Sequence, residues 1–210
     1  MKYFRITFWS ICLALLISSC CDNKELGRIN FQQSELEVNP YKGDETLNFA
    51  DNNGTILTFK GNRRNTNTTR TDGCADCCQD YYTVQSSDNT TFSSDFLNSQ
   101  LSVNLVLNFD EFTHKTNPNL SFSWSDHPNQ SSIANISFTG FPIHNMQDTA
   151  ANRNLYREVL TLRDKTFHQV YTAVGNNYSN DRLHPDSLYY TITEGIVGIK
   201  FSDNNTLVKQ

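Results

Sequence analysis

The chain has 210 residues, 17 basic and 22 acidic side chains for a net charge of −5, and 37% hydrophobic residues. An acidic balance argues against nucleic acid or an anionic surface as the main partner. The length suits one domain with an ordinary core.

Residues 1–19 carry the parts of a secretory signal: Lys2 and Arg5, an apolar run from Ile6 to Ile17, and small residues before a cut. The run is about twelve residues, short of the roughly 20 that span a bilayer. Leu15-Leu16-Ile17-Ser18-Ser19-Cys20 resembles the lipobox of bacterial lipoproteins. That resemblance implies cleavage between Ser19 and Cys20, a diacylglyceryl group on the Cys20 thiol, and acylation of the new amine with a chain such as palmitate. Two or three chains at about 0.8 kcal/mol per buried CH₂ anchor a protein stably. Without residues 1–19 the chain keeps 15 basic and 22 acidic residues, a net of −7. Asparagine numbers 25, some in N-x-S/T triplets at Asn67, Asn89 and Asn135, which the lipobox makes incidental. Cys21-Asp22-Asn23-Lys24-Glu25 is similar to the export signal of surface lipoproteins of Bacteroidota. The implied location is the outer membrane, with the periplasmic face and the cell surface both open.

Residues 20–34 are polar without a sustained period and read as a tether; 35–210 read as a single β domain. Thr46 to Phe49 and Ile56 to Phe59 flank Asp51-Asn52-Asn53-Gly54, and Asn-Gly supplies the positive φ angles of a tight hairpin. Residues 60–80, with Arg63, Arg64 and Arg70, read as a polar loop leading into a strand at Tyr81 to Gln85. The clearest alternation is Leu101, Val103, Leu105, Leu107 and Phe109, a period of two that places one face on a core. Leu120 to Trp124 and Ala134 to Phe138 repeat it, whereas Met146 to Tyr156 is compatible with a short helix. Tyr156 to Leu162 and Thr166 to Val174 read as strands, and a polar loop follows from Gly175 to Asp186. Leu188 to Ile192 and Ile196 to Phe201 form a hairpin around Glu194-Gly195, with Thr206 to Val208 as a last strand.

These signals give an all-β fold of about ten short strands, an antiparallel sandwich or a strongly curved, half-barrel-like sheet. Tyr189-Tyr190 followed by Gly195-Ile196 and a closing strand to Phe201 resembles the C-terminal hairpin of uncharacterised Bacteroidota lipoproteins. With the signal peptide, that resemblance covers about a fifth of the chain and bears on location and fold.

Cys74, Cys77 and Cys78, with Cys21, are the thiols left beside Cys20. An oxidising compartment makes a disulfide the first expectation, although a bridge from Cys74 to Cys77 or Cys78 closes too small a loop to add much stability. A thioredoxin-like redox pair needs a βαβ setting that the sequence lacks. A zinc site needs a fourth ligand brought by the fold, such as His114, His127 or His144. The five histidines show no H-x-H or H-E-x-x-H spacing and read as surface or loop residues. There is no G-x-S-x-G elbow, P-loop or Rossmann glycine fingerprint. Asp110-Glu111 and Asp126-His127 are carboxylate sites of the kind any acidic β protein offers. Tyr81-Tyr82, Trp124, Tyr171, Tyr178 and Tyr189-Tyr190 supply either a sugar- or lipid-binding face or, more simply, core packing.

The reading that follows is a non-enzymatic cell-envelope lipoprotein, anchored through Cys20, with a binding or interaction module and no cofactor or metal. Its partner is an envelope protein, a glycan or a lipid. The alternative is a periplasmic carrier for lipid or another small apolar ligand. A carrier requires an open half-barrel cavity lined by inward residues of Leu101–Phe109 and Leu120–Trp124.

Overall fold

The computed structural model describes residues 24–72, 81–110, 115–126, 135–137, 141–142, 155–175 and 183–210. The strands are β1 (Lys24–Ile29), β2 (Thr46–Ala50), β3 (Ile56–Asp72), β4 (Tyr81–Ser94), β5 (Ser99–Asp110), β6 (Lys115–Asp126), β7 (Asn135–Ser137), β8 (Phe141–Pro142), β9 (Tyr156–Leu162), β10 (Lys165–Val174), β11 (Pro185–Thr191), β12 (Gly195–Phe201) and β13 (Thr206–Lys209). One helical turn, α1 (Gln33–Leu36), precedes β2, and a 3-10 turn at Phe96–Asn98 joins β4 to β5. The fold is all-β. Apart from the parallel pair β1–β4, each strand pair whose register is described is antiparallel. The order is β7-β6-β5-β4-β3-β2-β13-β12-β11-β10-β9, with β1 also on β4 and β8 also on β6.

The chain divides into two compact units. The smaller includes the described residues 24–30, 67–72 and 81–85. Its strand β1 runs beside the start of β4, from Lys24 opposite Tyr81 to Ile29 opposite Gln85. The Thr68 hydroxyl donates to the Gln85 carbonyl at 3.0 Å. Two stretches differ here from the sequence reading. Residues 24–29, within the expected tether, form a strand, and so do residues 60–72 of the expected polar loop. Ladder pairing uses backbone groups whatever the side chains. Thr66, Thr68, Thr69 and Thr71 are β-branched and suit the extended backbone without leaving an apolar alternation to read.

The larger unit spans 31–66 and 86–210. The expected hairpin pairs Thr46–Ala50 with Ile56–Lys60, and Gly54 at its turn has φ +83°. On β5, Leu101, Val103, Leu105 and Leu107 are buried, and on β6 so are Leu120, Phe122 and Trp124. Trp124 lies six strand positions from Phe201 on β12, a distance of about 29 Å across a flat sheet at ~4.8 Å per strand. The two rings are instead 5.5 Å apart, and Phe122 meets Tyr190 of β11 at 5.1 Å. The sheet therefore folds back so that β5–β6 and β11–β12 share one sandwich-like core.

A second, smaller cluster lies on the opposite face of β12 and β13: Leu162, Phe167, Val170, Val197 and Val208. Strand β12 is thus buried on both sides, Ile196 and Ile199 toward the main core and Val197 toward the second. The β9–β10 hairpin provides that cover. Only Tyr171–Val174 of β10 pair with β11, whereas Lys165–Tyr171 pair with β9. Within the stretch on β9, Gln169 has φ +53° and breaks the alternation, so that Phe167 and Val170 join the second cluster and Tyr171 and Ala173 the first. At the hairpin tip the Arg163 guanidinium donates to the carbonyls of Ala50 and Asp51, and Lys165 Nζ donates to the Lys209 carbonyl at 3.0 Å. A Cβ at Gly198 would sit 2.5 Å from Leu162 Cδ1 and 3.2 Å from the Leu207 carbonyl oxygen, so a larger residue at this close crossing displaces the end of the Leu162 side chain.

Candidate functional site

A buried polar network joins the segment before β2 to strands β4, β11 and β12. Alternation along β4 turns Asp88, Thr90 and Phe92 inward, at 2%, 0% and 0% exposure. Asn39, in the segment before β2, donates from Nδ2 to Asp88 Oδ2 and to Thr90 Oγ1, both at 3.3 Å. Two tyrosines hold the same segment: the Tyr190 hydroxyl donates to the Val38 carbonyl at 2.6 Å, and the Ile196 amide donates to the Tyr41 hydroxyl at 2.6 Å. Burial pushes both phenols above their ordinary range, Tyr190 further through Tyr41 and Asp88. These groups are closed off from solvent and satisfy one another, so they organise the core rather than a reaction.

The accessible chemistry lies on the outside of β3, β4 and β5. A groove of about 580 Å³ is lined by Thr58, Lys60, Ser93, Ser94, Asp95, Asn98, Ser99 and Gln100. Alternation explains its floor: Phe59, Phe92 and Leu101 point into the core, which turns Thr58, Lys60, Ser93 and Gln100 outward. Its end wall is the β4–β5 connection. There Phe96 packs edge-on to Phe201 at 6.0 Å, its amide donates to Ser94 Oγ at 3.2 Å, and its carbonyl accepts from Ser99 Oγ at 2.6 Å. Held in this way, Asn98 adopts φ +46° and presents an exposed amide beside the exposed Asp95 carboxylate.

Among the described residues, the side chains of Lys60, Ser93, Asp95, Asn98 and Gln100 have no protein partner. Other turns use their polar side chains internally. Asp51 accepts from the amides of Asn53 and Thr55, and Asp203 from that of Asn205. A second groove of about 290 Å³, lined by Lys165, Thr166, Phe167, Glu194, Lys209 and Gln210, follows the same internal pattern. Its Lys209 Nζ donates to the Glu194 carbonyl at 2.6 Å, and burial lowers the Lys209 pKa against the opposing pull of Glu194.

Several residues singled out in the sequence lie outside the described residues: Ser19, Cys20, Cys21, Cys74, Cys77, Cys78, Glu111, His114, His127, His144, most of Met146–Tyr156, and Tyr178. Of the aromatic set, Trp124, Tyr171 and Tyr190 are core residues, and Tyr82 and Tyr189 are half-buried. His168 is a surface residue of strand β10, and His184 is a loop residue just before β11, buried, with its Nε2 3.2 Å from Asp186 Oδ1. Among the described residues no three His, Cys, Asp or Glu side chains converge as metal ligands. Likewise none of the described helices is long and apolar enough to cross a membrane.

The sequence reading did not find the groove. Its walls come from Thr58–Lys60 and Ser93–Gln100, more than thirty residues apart, and serines and asparagines near strand ends look the same whether they hold a ligand or only water. No protein-family model, curated protein or solved structure matches the chain.

Proposed function

We propose that this chain is a non-enzymatic cell-envelope lipoprotein, anchored by a lipidated Cys20 in the outer membrane, whose β fold serves as a binding or interaction module. The anchor rests on the lipobox-like Leu15–Cys20. The module rests on one observation: the inward side chains of β5 and β6 are packed to exclusion of solvent. Leu101, Val103, Leu105 and Leu120 are 0% exposed, and Phe122 and Trp124 are 2% and 1% exposed. Those are the positions a carrier needs to line an open apolar cavity. They are occupied instead by Phe59, Tyr190 and Phe201 from across the fold. Recognition is then left to the outer surface, where the groove on β3, β4 and β5 presents polar side chains.

The test has two parts. Metabolic labelling with palmitate is expected to mark the full chain and to be lost in Cys20→Ala together with membrane retention; labelling that survives the substitution refutes the anchor. Native mass spectrometry of residues 21–210 is expected to give a mass without lipid, whereas co-purified lipid favours the carrier.

A further inference from the structure

We infer that the groove on β3, β4 and β5 is a binding site for a neutral carbohydrate, an assignment that rests on the module reading and names its ligand class. The eight described lining residues all carry polar side chains, and an acyl chain laid along them would leave their polar groups without partners. Among the described lining residues Lys60 is the one cation and Asp95 the one carboxylate, a balance that favours neither a polyanion nor a polycation.

What remains matches the hydroxyl groups of a sugar, each of which both donates and accepts. Asp95 offers two acceptor oxygens that can each receive a hydroxyl, Lys60 donates only, and the amides of Asn98 and Gln100 with the Ser93 hydroxyl do both. These five side chains are unpartnered among the described residues. Their neighbours Thr58, Ser94 and Ser99 are already bonded to Asn48, to the Phe96 amide and to the Phe96 carbonyl. The site is therefore divided into bonded supports and free binding groups. The Phe96 anchor and the left-handed Asn98 fix the end wall before any ligand arrives, which lowers the ordering cost of binding. A volume of about 580 Å³ lies within the range of small-ligand sites, roughly 300–1,000 Å³.

Saturation-transfer NMR on the full chain in detergent tests the assignment, using cellobiose, mannobiose and chitobiose as probes and a sulfated disaccharide and a neutral tetrapeptide as controls. Transfer to at least one neutral disaccharide is expected. Asp95→Ala combined with Asn98→Gly, which keeps the left-handed backbone, should weaken it at least about tenfold, with Lys165→Ala in the second groove unchanged. Substituting two exposed side chains leaves the core intact, and an unaltered Tm verifies that. Transfer to none of the three sugars, preference for either control, or transfer that persists in the double variant overturns the carbohydrate assignment. Any of these outcomes leaves the module reading standing, because that reading fails only on bound lipid.

Discussion

Tyr41 shows how much one side chain decides here. It is 3% exposed, and its hydroxyl accepts the Ile196 amide at the point where Gly195, at φ +74°, opens β12. A Cβ at Gly195 would overlap the phenol, so glycine and tyrosine are matched. Tyr41→Phe leaves the buried Ile196 N–H without its hydroxyl acceptor and should cost about 1–3 kcal/mol in urea unfolding. The same residue links stability to alkali. Tyr41 and Tyr190 ionise near 10.0 when unfolded, but burial keeps both protonated in the fold. Their contribution is therefore complete below pH 10 and declines above it, by about 1.4 kcal/mol per pH unit for each phenol. Unfolding above pH 10 should take up about one hydroxide fewer in Tyr41→Phe than in wild type. Nothing in the sequence marks this pair, since the tyrosine and its glycine stand 154 positions apart.

At the scale of elements, the β9–β10 hairpin is a cover laid over β12 and β13. Gln169 is its pivot, and a left-handed conformation at a residue other than glycine carries strain of about 1–2 kcal/mol. Gln169→Gly should recover about 0.5–1 kcal/mol, and Gln169→Val should destabilise by a similar or larger amount. At the crossing, Gly198→Ala forces Leu162 aside and should cost about 1–3 kcal/mol, with hydrogen exchange rising first at Val159–Phe167. Legibility follows the same physics. Strands β9 to β13 were readable to within a few residues, because apolar residues and turn residues alternate there. The polar strand β1 and residues 60–72 of β3 were not, because backbone pairing leaves no trace in side-chain polarity. The shift of faces at Gln169 was hidden as well, since a period of two assumes one unbroken extended backbone.

At the scale of the whole molecule, stability depends on contacts between strands far apart in the sheet. Phe201 meets both Trp124 and Phe96, so Phe201→Ala should cost about 3–5 kcal/mol and shift the tryptophan emission to the red. The folded-back sheet was legible as a choice between sandwich and half-barrel; only the pairing of β5–β6 with β11–β12 decides between them. One further consequence follows from strand order. Strand β13, at residues 206–209, lies between β2 and β12 and joins the two halves of the sheet. The core therefore cannot close before residues 206–209 have been made: the early hairpin Thr46–Lys60 has to wait for β13, a pairing between residues far apart in sequence that makes folding slow.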